Sequence, residues 1–423
     1  MEFIMLELFK NKNFSSLFFG RLMMNIGDSI YYVAATWLVY ELGGSVFYSG
    51  LAGFLILIPE LFSVFIGPIV DRYDKKKLLM FSSVGQSLLI LLIPFLSLLD
   101  TLTVTIVLVI MPLISFMNLF TYPTQNALLP QIVEKSRIID ANSAMAFSYQ
   151  GMNLIFNGFA GVLISVIGIM SVYYLNSIVF ILSVILFASL KLKNGNRVQT
   201  KKQNFKGTFN EYKSDLREGM QYFWRPSLIN LILPLVLINF TFSATLVVFP
   251  EFADVSGGVQ YYGILMVCYA GGMLVGSLLT SFITKKYSIG ILIIFGFGIS
   301  GVSWVLIGPF SNLSIILSCL LLFVATIPIG YINIILTSYF QTILPQNMIG
   351  RVGTIIESVI TIAMPIGSLL GGYLGASLGT TFIIMLNGFI IIIMSIYWMF
   401  NRTLRGLPNI NKLEEEDYET QRI

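Results

Sequence analysis

The stretch that decides the fold reads Gly67-Pro68-Ile69-Val70-Asp71-Arg72-Tyr73-Asp74-Lys75-Lys76-Lys77. It separates two apolar runs, 48–70 and 78–98, each near the ~20 residues with which a helix crosses a bilayer. Arg72 and the three lysines crowd into one short polar connection, and a basic connection between two spans is retained on the cytoplasmic side. Working outward in both directions, the same alternation continues to the ends of the chain.

Apolar runs fall at 14–41, 48–70, 78–98, 103–127, 143–167 and 171–190, then at 227–250, 260–283, 288–309, 313–340, 353–376 and 380–400. Numbered in order, these are spans 1 to 12. Of 423 residues, 56% are hydrophobic and 11% charged, against roughly 25% charged in soluble proteins. A water-soluble globule is excluded. The first run is too long for a signal-peptide core and has no small-residue cleavage site, so it is expected to remain as a helix.

The net charge of +4 is less informative than its distribution. Apart from Arg21 inside span 1, the basic residues fall at the N-terminus, the even-numbered connections, the central linker and the tail. Lys135 and Arg137 follow span 4, Lys285 and Lys286 follow span 8, and Arg351 follows span 10. The odd-numbered connections hold only the acids Glu41, Asp100, Glu251 and Asp254. The expectation is a multi-pass protein of the cell membrane with both termini cytoplasmic.

The sequence contains no histidine. That excludes His-based triads, His-ligated zinc and imidazole relays. Cys268 and Cys319, both inside apolar runs, form neither a disulfide framework nor a CxxC metal site. No Walker motif is present, and Gly296-Phe297-Gly298-Ile299-Ser300-Gly301 lies within an apolar span without a strand before it. Accordingly no cofactor, no metal and no nucleic-acid partner is expected, and neither is enzymatic activity.

The longest polar break, 191–226, has six spans on either side. Phe209, Tyr212, Leu216, Met220 and Phe223 recur there at helical spacing among basic residues, the pattern of a helix lying on the cytoplasmic interface. The halves also repeat. Gly67 to Lys77 aligns with Gly276 to Lys286, keeping the glycine and the last two lysines in register, and Ala127-Leu128-Leu129-Pro130-Gln131 echoes Thr342-Ile343-Leu344-Pro345-Gln346. The expected organisation is a six-helix bundle over 1–190, a linker with an amphipathic helix over 191–226, a second bundle over 227–402 and a cytoplasmic tail over 403–423. Repeated halves with a site at the midplane are a transporter signature.

These features resemble the major facilitator superfamily along essentially the whole chain. The signature is carried by Gly67, Asp71, Arg72, Lys75 and Lys76, with Asp74 where the family usually has glycine. Asp71 to Lys77, Tyr122-Pro123-Thr124-Gln125-Asn126, Gly350-Arg351-Val352 and Met364-Pro365-Ile366-Gly367 are similar to bacterial macrolide-efflux and enterobactin-exporter-like members. The resemblance implies an all-α membrane protein with twelve helices in two pseudo-symmetric six-helix bundles. It also implies export of a lipophilic or amphipathic small molecule, coupled to protons, by a monomer in the lipid bilayer. Proton-coupled uptake, facilitated diffusion and a transport-inactive scaffold or sensor are the alternatives. Two positions depart from the proton/drug antiporters. No arginine occurs over Met111 to Phe120, where Ile114 stands at the expected place, and Asn157-Gly158-Phe159-Ala160-Gly161 lacks the proline of the span 5 motif.

A charge at the centre of a span costs ~2.5–3.5 kcal/mol on insertion scales and so needs a role, a partner or a proton. Asp28 in span 1 and Glu60 in span 2 are the candidate proton-coupling acids, since without histidine a transported proton rides on a carboxylate. Arg21, two turns below Asp28, offers instead a purely structural pairing. The resemblance places Gly67, Asp71, Arg72, Lys76, Arg351 and Glu357 at a cytoplasmic gate. Asn25, Tyr31 and Tyr32 near Asp28, with the stripe Gln150, Asn153 and Asn157 on span 5, are candidates for the substrate cavity. Interhelical hydrogen bonding would account for that stripe equally well. The repeats Gly272/Gly276 and Gly367/Gly371/Gly375 are expected to permit close helix packing.

Overall fold

A computed structural model describes residues 8–134, 137–192, 224, 226–311, 313–343 and 349–409. The described elements are helical throughout: α1 (Lys12–Gly43), α2 (Val46–Leu57), α3 (Ile66–Arg72), α4 (Lys75–Leu98), α5 (Val104–Asn118), α6 (Thr121–Ile132), α7 (Ile138–Ile167) and α8 (Ile169–Ala188). There follow α9 (Pro226–Leu246), α10 (Phe249–Ile283), α11 (Ile289–Phe310), α12 (Ile315–Ile343), α13 (Ile349–Thr361), α14 (Met364–Leu378), α15 (Thr380–Phe400) and the short α16 (Arg402–Arg405). Nine stretches of the described residues are long and apolar enough to cross a bilayer, and one of them, Leu228–Ile283, covers spans 7 and 8 together. The 32-residue α1 stands outside that set, its apolar character diluted by Arg21, Asn25 and Asp28.

Side-chain caps start several helices. Asn11 accepts from the amides of Asn13 and Phe14, Asp74 from Lys77, and Thr103 from Ile106, satisfying first-turn donors that have no partner within the helix. Gly44, with φ 64°, closes α1. Three sequence spans are broken. Span 2 passes from α2 through a 3-10 segment over Ile58–Phe65 into α3, Pro59 having no amide to give the regular ladder. Span 4 divides between α5 and α6, and span 11 between α13 and α14, where Pro365 occupies the first turn. Span 8 is lengthened toward the N-terminus as α10, which is interrupted at Gly257 and Gly258.

The chain forms two compact units, Met1–Asn194 with Val247–Val267, and Gly195–Leu246 with Cys268–Ile423. Segment 247–267, expected from its place in the sequence to belong with the second half, thus packs with the first. In the first unit α1 runs along α7 and α8, and α4 also lies along α8. A Cβ on Gly27 would come within 2.6 Å of the Phe180 ring; glycine is what lets α1 and α8 approach so closely. In the second unit α11 packs on α12 and α15, and α9 on α14 and α15. The small-residue repeats do the expected work here: Gly272 and Gly276 meet α12 at Phe323 and Ile327, and Gly367 and Gly371 meet α9 at Phe240 and Ala244. The expected interfacial helix over 209–223 and the tail beyond 409 lie outside the described residues.

Candidate functional site

The polar centre of the first unit is built on α1. Asp28 is half-buried, and its Oδ2 accepts a hydrogen bond of 3.2 Å from Asn118 Nδ2 at the last residue of α5. Arg21, two turns earlier, is 3% exposed and donates through Nε to Gln125 Oε1 on α6 at 2.7 Å. Its charge acts on Asp28 as well. Asn25, between them, donates to Ser148 Oγ on α7 at 3.1 Å. The break between α5 and α6 therefore serves the site, because it aims Asn118 and Gln125 at two levels of α1. Sequence reasoning missed Asn118, Gln125 and Ser148. Only Asn118 stands out as a polar residue among apolar neighbours; Gln125 and Ser148 lie in locally polar stretches, Thr124-Gln125-Asn126 and Ser148-Tyr149-Gln150.

The other candidates are dispersed. Tyr31 is buried with its ring edge-on to Tyr173 of α8, centroids 6.5 Å apart, and Tyr32 is half-buried. On α7, Asn157 donates to Asn153 Oδ1 at 2.8 Å, an intrahelical pair, while Gln150 is exposed. Glu60 is exposed on the 3-10 segment and Glu357 is exposed on α13. Arg72 is exposed at the end of α3. Gly67, Asp71 and Arg351 lie on α3 and α13, but the side chains of Asp71 and Arg351 are not among those described.

Lys76 is engaged within its own unit. Its Nζ donates to the carbonyls of Ala188 at 2.5 Å and Leu190 at 2.8 Å, placing a cation on the carbonyl end of α8, where the helix dipole favours it. Lys76→Met is expected to lower thermal stability by about 1 kcal/mol through loss of that cap. A melting curve of the purified variant measures it.

A second constellation ties segment 247–267 to the Gly43 end of α1. Tyr40 donates to Asp254 Oδ2 at 2.9 Å, and Glu251 Oε2 accepts from the Val46 amide at 3.0 Å, an anion at the N-terminus of α2. Trp37 stacks on Tyr262 with centroids 5.1 Å apart, and the Tyr262 hydroxyl reaches the Val33 carbonyl at 3.5 Å. Gly263 of α10 crosses Gly161 of α7 backbone to backbone; a Cβ on Gly263 would stand 2.7 Å from the Gly161 carbonyl carbon. Two of the four acids in the odd-numbered connections, Glu251 and Asp254, thus serve as acceptors that hold this segment down.

An all-helical membrane chain with internally repeated halves and buried ionisable groups on its first helix is a secondary transporter in form. The family model of the Major Facilitator Superfamily matches residues 17–367 and again 259–421, and the chain belongs to that superfamily. It is 25% identical over 405 residues to macrolide efflux protein A of Streptococcus pyogenes, covering 93% of this chain and 97% of that one. To the multidrug efflux pump Tap of Mycolicibacterium fortuitum it is 23% identical over 406 residues, covering 94% and 97%. Among solved structures, a bacterial homologue of the iron transporter ferroportin in an inward-facing state aligns with a TM-score of 0.71 at 12% identity, covering 91% of this chain and 97% of that one. The protein is a multi-pass membrane transporter of small-molecule substrates with efflux pumps among its relatives.

Proposed function

We propose that this transporter exports a lipophilic or amphipathic small molecule, macrolide-, drug- or siderophore-like, by alternating access driven by proton entry, with Asp28 as the coupling acid. The observation that carries the reading is the Asp28–Asn118 contact. An ionised carboxylate only accepts hydrogen bonds, whereas a protonated one also donates. A carboxamide offers both an N–H and a C=O, so Asn118 can partner either state without leaving an unmet buried group. Arg21 acts on Asp28 by its charge but donates its Nε hydrogen bond to Gln125, which leaves Asn118 as the hydrogen-bond partner of the carboxyl. Relatedness over nearly the full chain to macrolide and multidrug efflux proteins supports the direction and the substrate class.

In this reading the protein is a monomer in the cell membrane with both termini cytoplasmic, as the basic residues of the even-numbered connections indicate. Gly67, Asp71, Arg72, Lys76, Arg351 and Glu357 form the cytoplasmic gate, and Glu60 is the secondary coupling acid. The test is expression in a pump-deficient bacterial host, with a susceptibility panel of macrolides, lipophilic cations and siderophores. Flux in proteoliposomes under an imposed pH gradient follows with any compound protected against. Export requires raised tolerance and solute movement opposite to the proton gradient. Accumulation along the proton gradient would replace export by uptake, and flux indifferent to the gradient would remove the proton.

A further inference from the structure

Helices α8 and α15 occupy matching places in the two halves. Each begins at a left-handed glycine, Gly168 with φ 78° and Gly379 with φ 91°, and each carries a buried asparagine eight residues further on, in Leu175-Asn176 and Leu386-Asn387. In the second unit Asn387 Oδ1 accepts a 2.8 Å hydrogen bond from Thr241 of α9. In the first unit the helix facing the asparagine presents Gly27, whose Cβ position lies 3.1 Å from Asn176 Oδ1, and glycine has no hydroxyl to offer. Both side-chain atoms of Asn176, which is 1% exposed, have no hydrogen-bond partner among the described residues.

Asn176 is not alone. Both amide atoms of Gln86 on α4, itself 0% exposed, and the hydroxyls of Tyr31 and Tyr173 also have no hydrogen-bond partner among the described residues. These groups converge. Ser87 and Ser177 join α4 to α8 through hydroxyls 2.9 Å apart, which sets residues 86 and 176 beside that crossing. Ser83, one turn before Gln86, reaches Met24 on α1. Tyr31 and Tyr173 meet edge-on one turn beyond Gly27. Six polar atoms are therefore left without a partner among the described residues along the α1–α4–α8 junction, from Gln86 and Asn176 to the tyrosine pair one turn further. Each would cost roughly 1–3 kcal/mol if it stayed so.

We infer that this junction is an internal water-binding site, in which Gln86 and Asn176 are the principal ligands and Tyr31 and Tyr173 complete the shell. The chemistry selects water. The set mixes amide N–H donors with carbonyl and hydroxyl acceptors and contains no carboxylate. A metal cation would use only the oxygens and leave the amide N–H groups unmet, whereas water donates and accepts, and typically makes about three bonds to otherwise unsatisfied buried groups. The site lies beside the carboxylate rather than on it: Gly27 faces α8, while Asp28 turns to Asn118 of α5 and acts on Tyr31 only by its charge. Helix α1 is thus hydrated on one face at the level where it carries its acid on another.

Radiolytic hydroxyl-radical footprinting of the full-length protein in nanodiscs tests this, because radicals generated from a bound water modify the aromatic rings that enclose it. The expected result is modification of Tyr31, Tyr173 and Phe180 severalfold above Phe14 and Phe187, which are 0% exposed and stand well away from Gly27 and Asn176 along α1 and α8. In Gln86→Leu/Asn176→Leu that excess disappears and thermal stability does not rise. Equal modification of all five rings in the unmodified protein overturns the site, whatever the variant does. So does a double variant of raised stability, since only dry, unpaired amides gain from replacement by leucine.

Discussion

Asp28→Asn is expected to abolish pH-gradient-driven transport in proteoliposomes, bringing it to the level of empty vesicles, while the protein folds and still exchanges substrate in counterflow. Asparagine keeps the shape of the side chain, and its own Oδ1 can accept the Asn118 amide that Asp28 Oδ2 accepts at 3.2 Å. The structural contact survives, and only the capacity to take up and release a proton is lost. Arg21 loses a nearby negative charge but keeps its hydrogen bond to Gln125, so the guanidinium stays hydrogen-bonded when the acid is removed. Loss of counterflow together with driven transport would assign Asp28 to structure or substrate binding. Undiminished driven transport would remove it from coupling. Asn118→Leu separates the parts further. It leaves the carboxyl without its amide partner at a cost of roughly 1–3 kcal/mol, and driven transport should weaken without vanishing.

Much of the architecture is legible in the sequence because a bilayer writes it in coarse terms. Spans need length, connections need polarity, and basic residues choose a side. The Gly67–Lys77 stretch, its echo at Gly276–Lys286 and the glycine repeats could all be read one segment at a time. What could not be read were partnerships across helices. In water, the period of an apolar stripe tells which face is buried. In lipid both faces are apolar, and Leu88, Val166 and Ile185 are exposed on helices whose interior is equally hydrophobic. The pattern of α1 therefore shows that Asp28 is unusual but not that Asn118 meets it. It likewise does not show that Tyr31 packs edge-on against Tyr173. Segment 247–267 illustrates the same limit. Its neighbours in sequence assign it to the second half, but its docking depends on Tyr40, Trp37 and Gly161, which lie about 100 to 220 positions away and leave no local trace.

That docking leads to the second large effect. Gly263→Val is expected to release segment 247–267 from α1 and α7. The hydrogen bonds from Tyr40 to Asp254 and from Val46 to Glu251 contribute about 0.5–1.5 kcal/mol each, and the Trp37–Tyr262 stack a similar amount. Together these amount to a few kcal/mol. A valine at 263 sets its Cβ 2.7–3.0 Å from backbone atoms of Gly161 and Val162. A side chain could rotate away from such a clash, but a helix backbone cannot. Overpacking of this kind costs about 1–3 kcal/mol and more where nothing yields, and each 1.4 kcal/mol changes a population tenfold. The clash is therefore comparable to these three contacts together, and it also pulls apart the packing of buried side chains such as Phe252, Ala253 and Leu265. The reporter is Val33→Cys in a Cys268→Ser/Cys319→Ser background, since Val33 is 1% exposed beneath Tyr262. An impermeant maleimide applied to intact cells should leave that reporter thiol unmodified when residue 263 is glycine and modify it nearly completely when it is valine. In the proposed alternating-access cycle a segment that cannot return holds the protein on one side, so driven transport should fall to a small fraction. Gly263→Ala, which places the same Cβ without the branch, should give the same change in weaker form. A folded Gly263→Val protein whose reporter thiol stays protected would show that the Gly161–Gly263 crossing does not hold the segment in place.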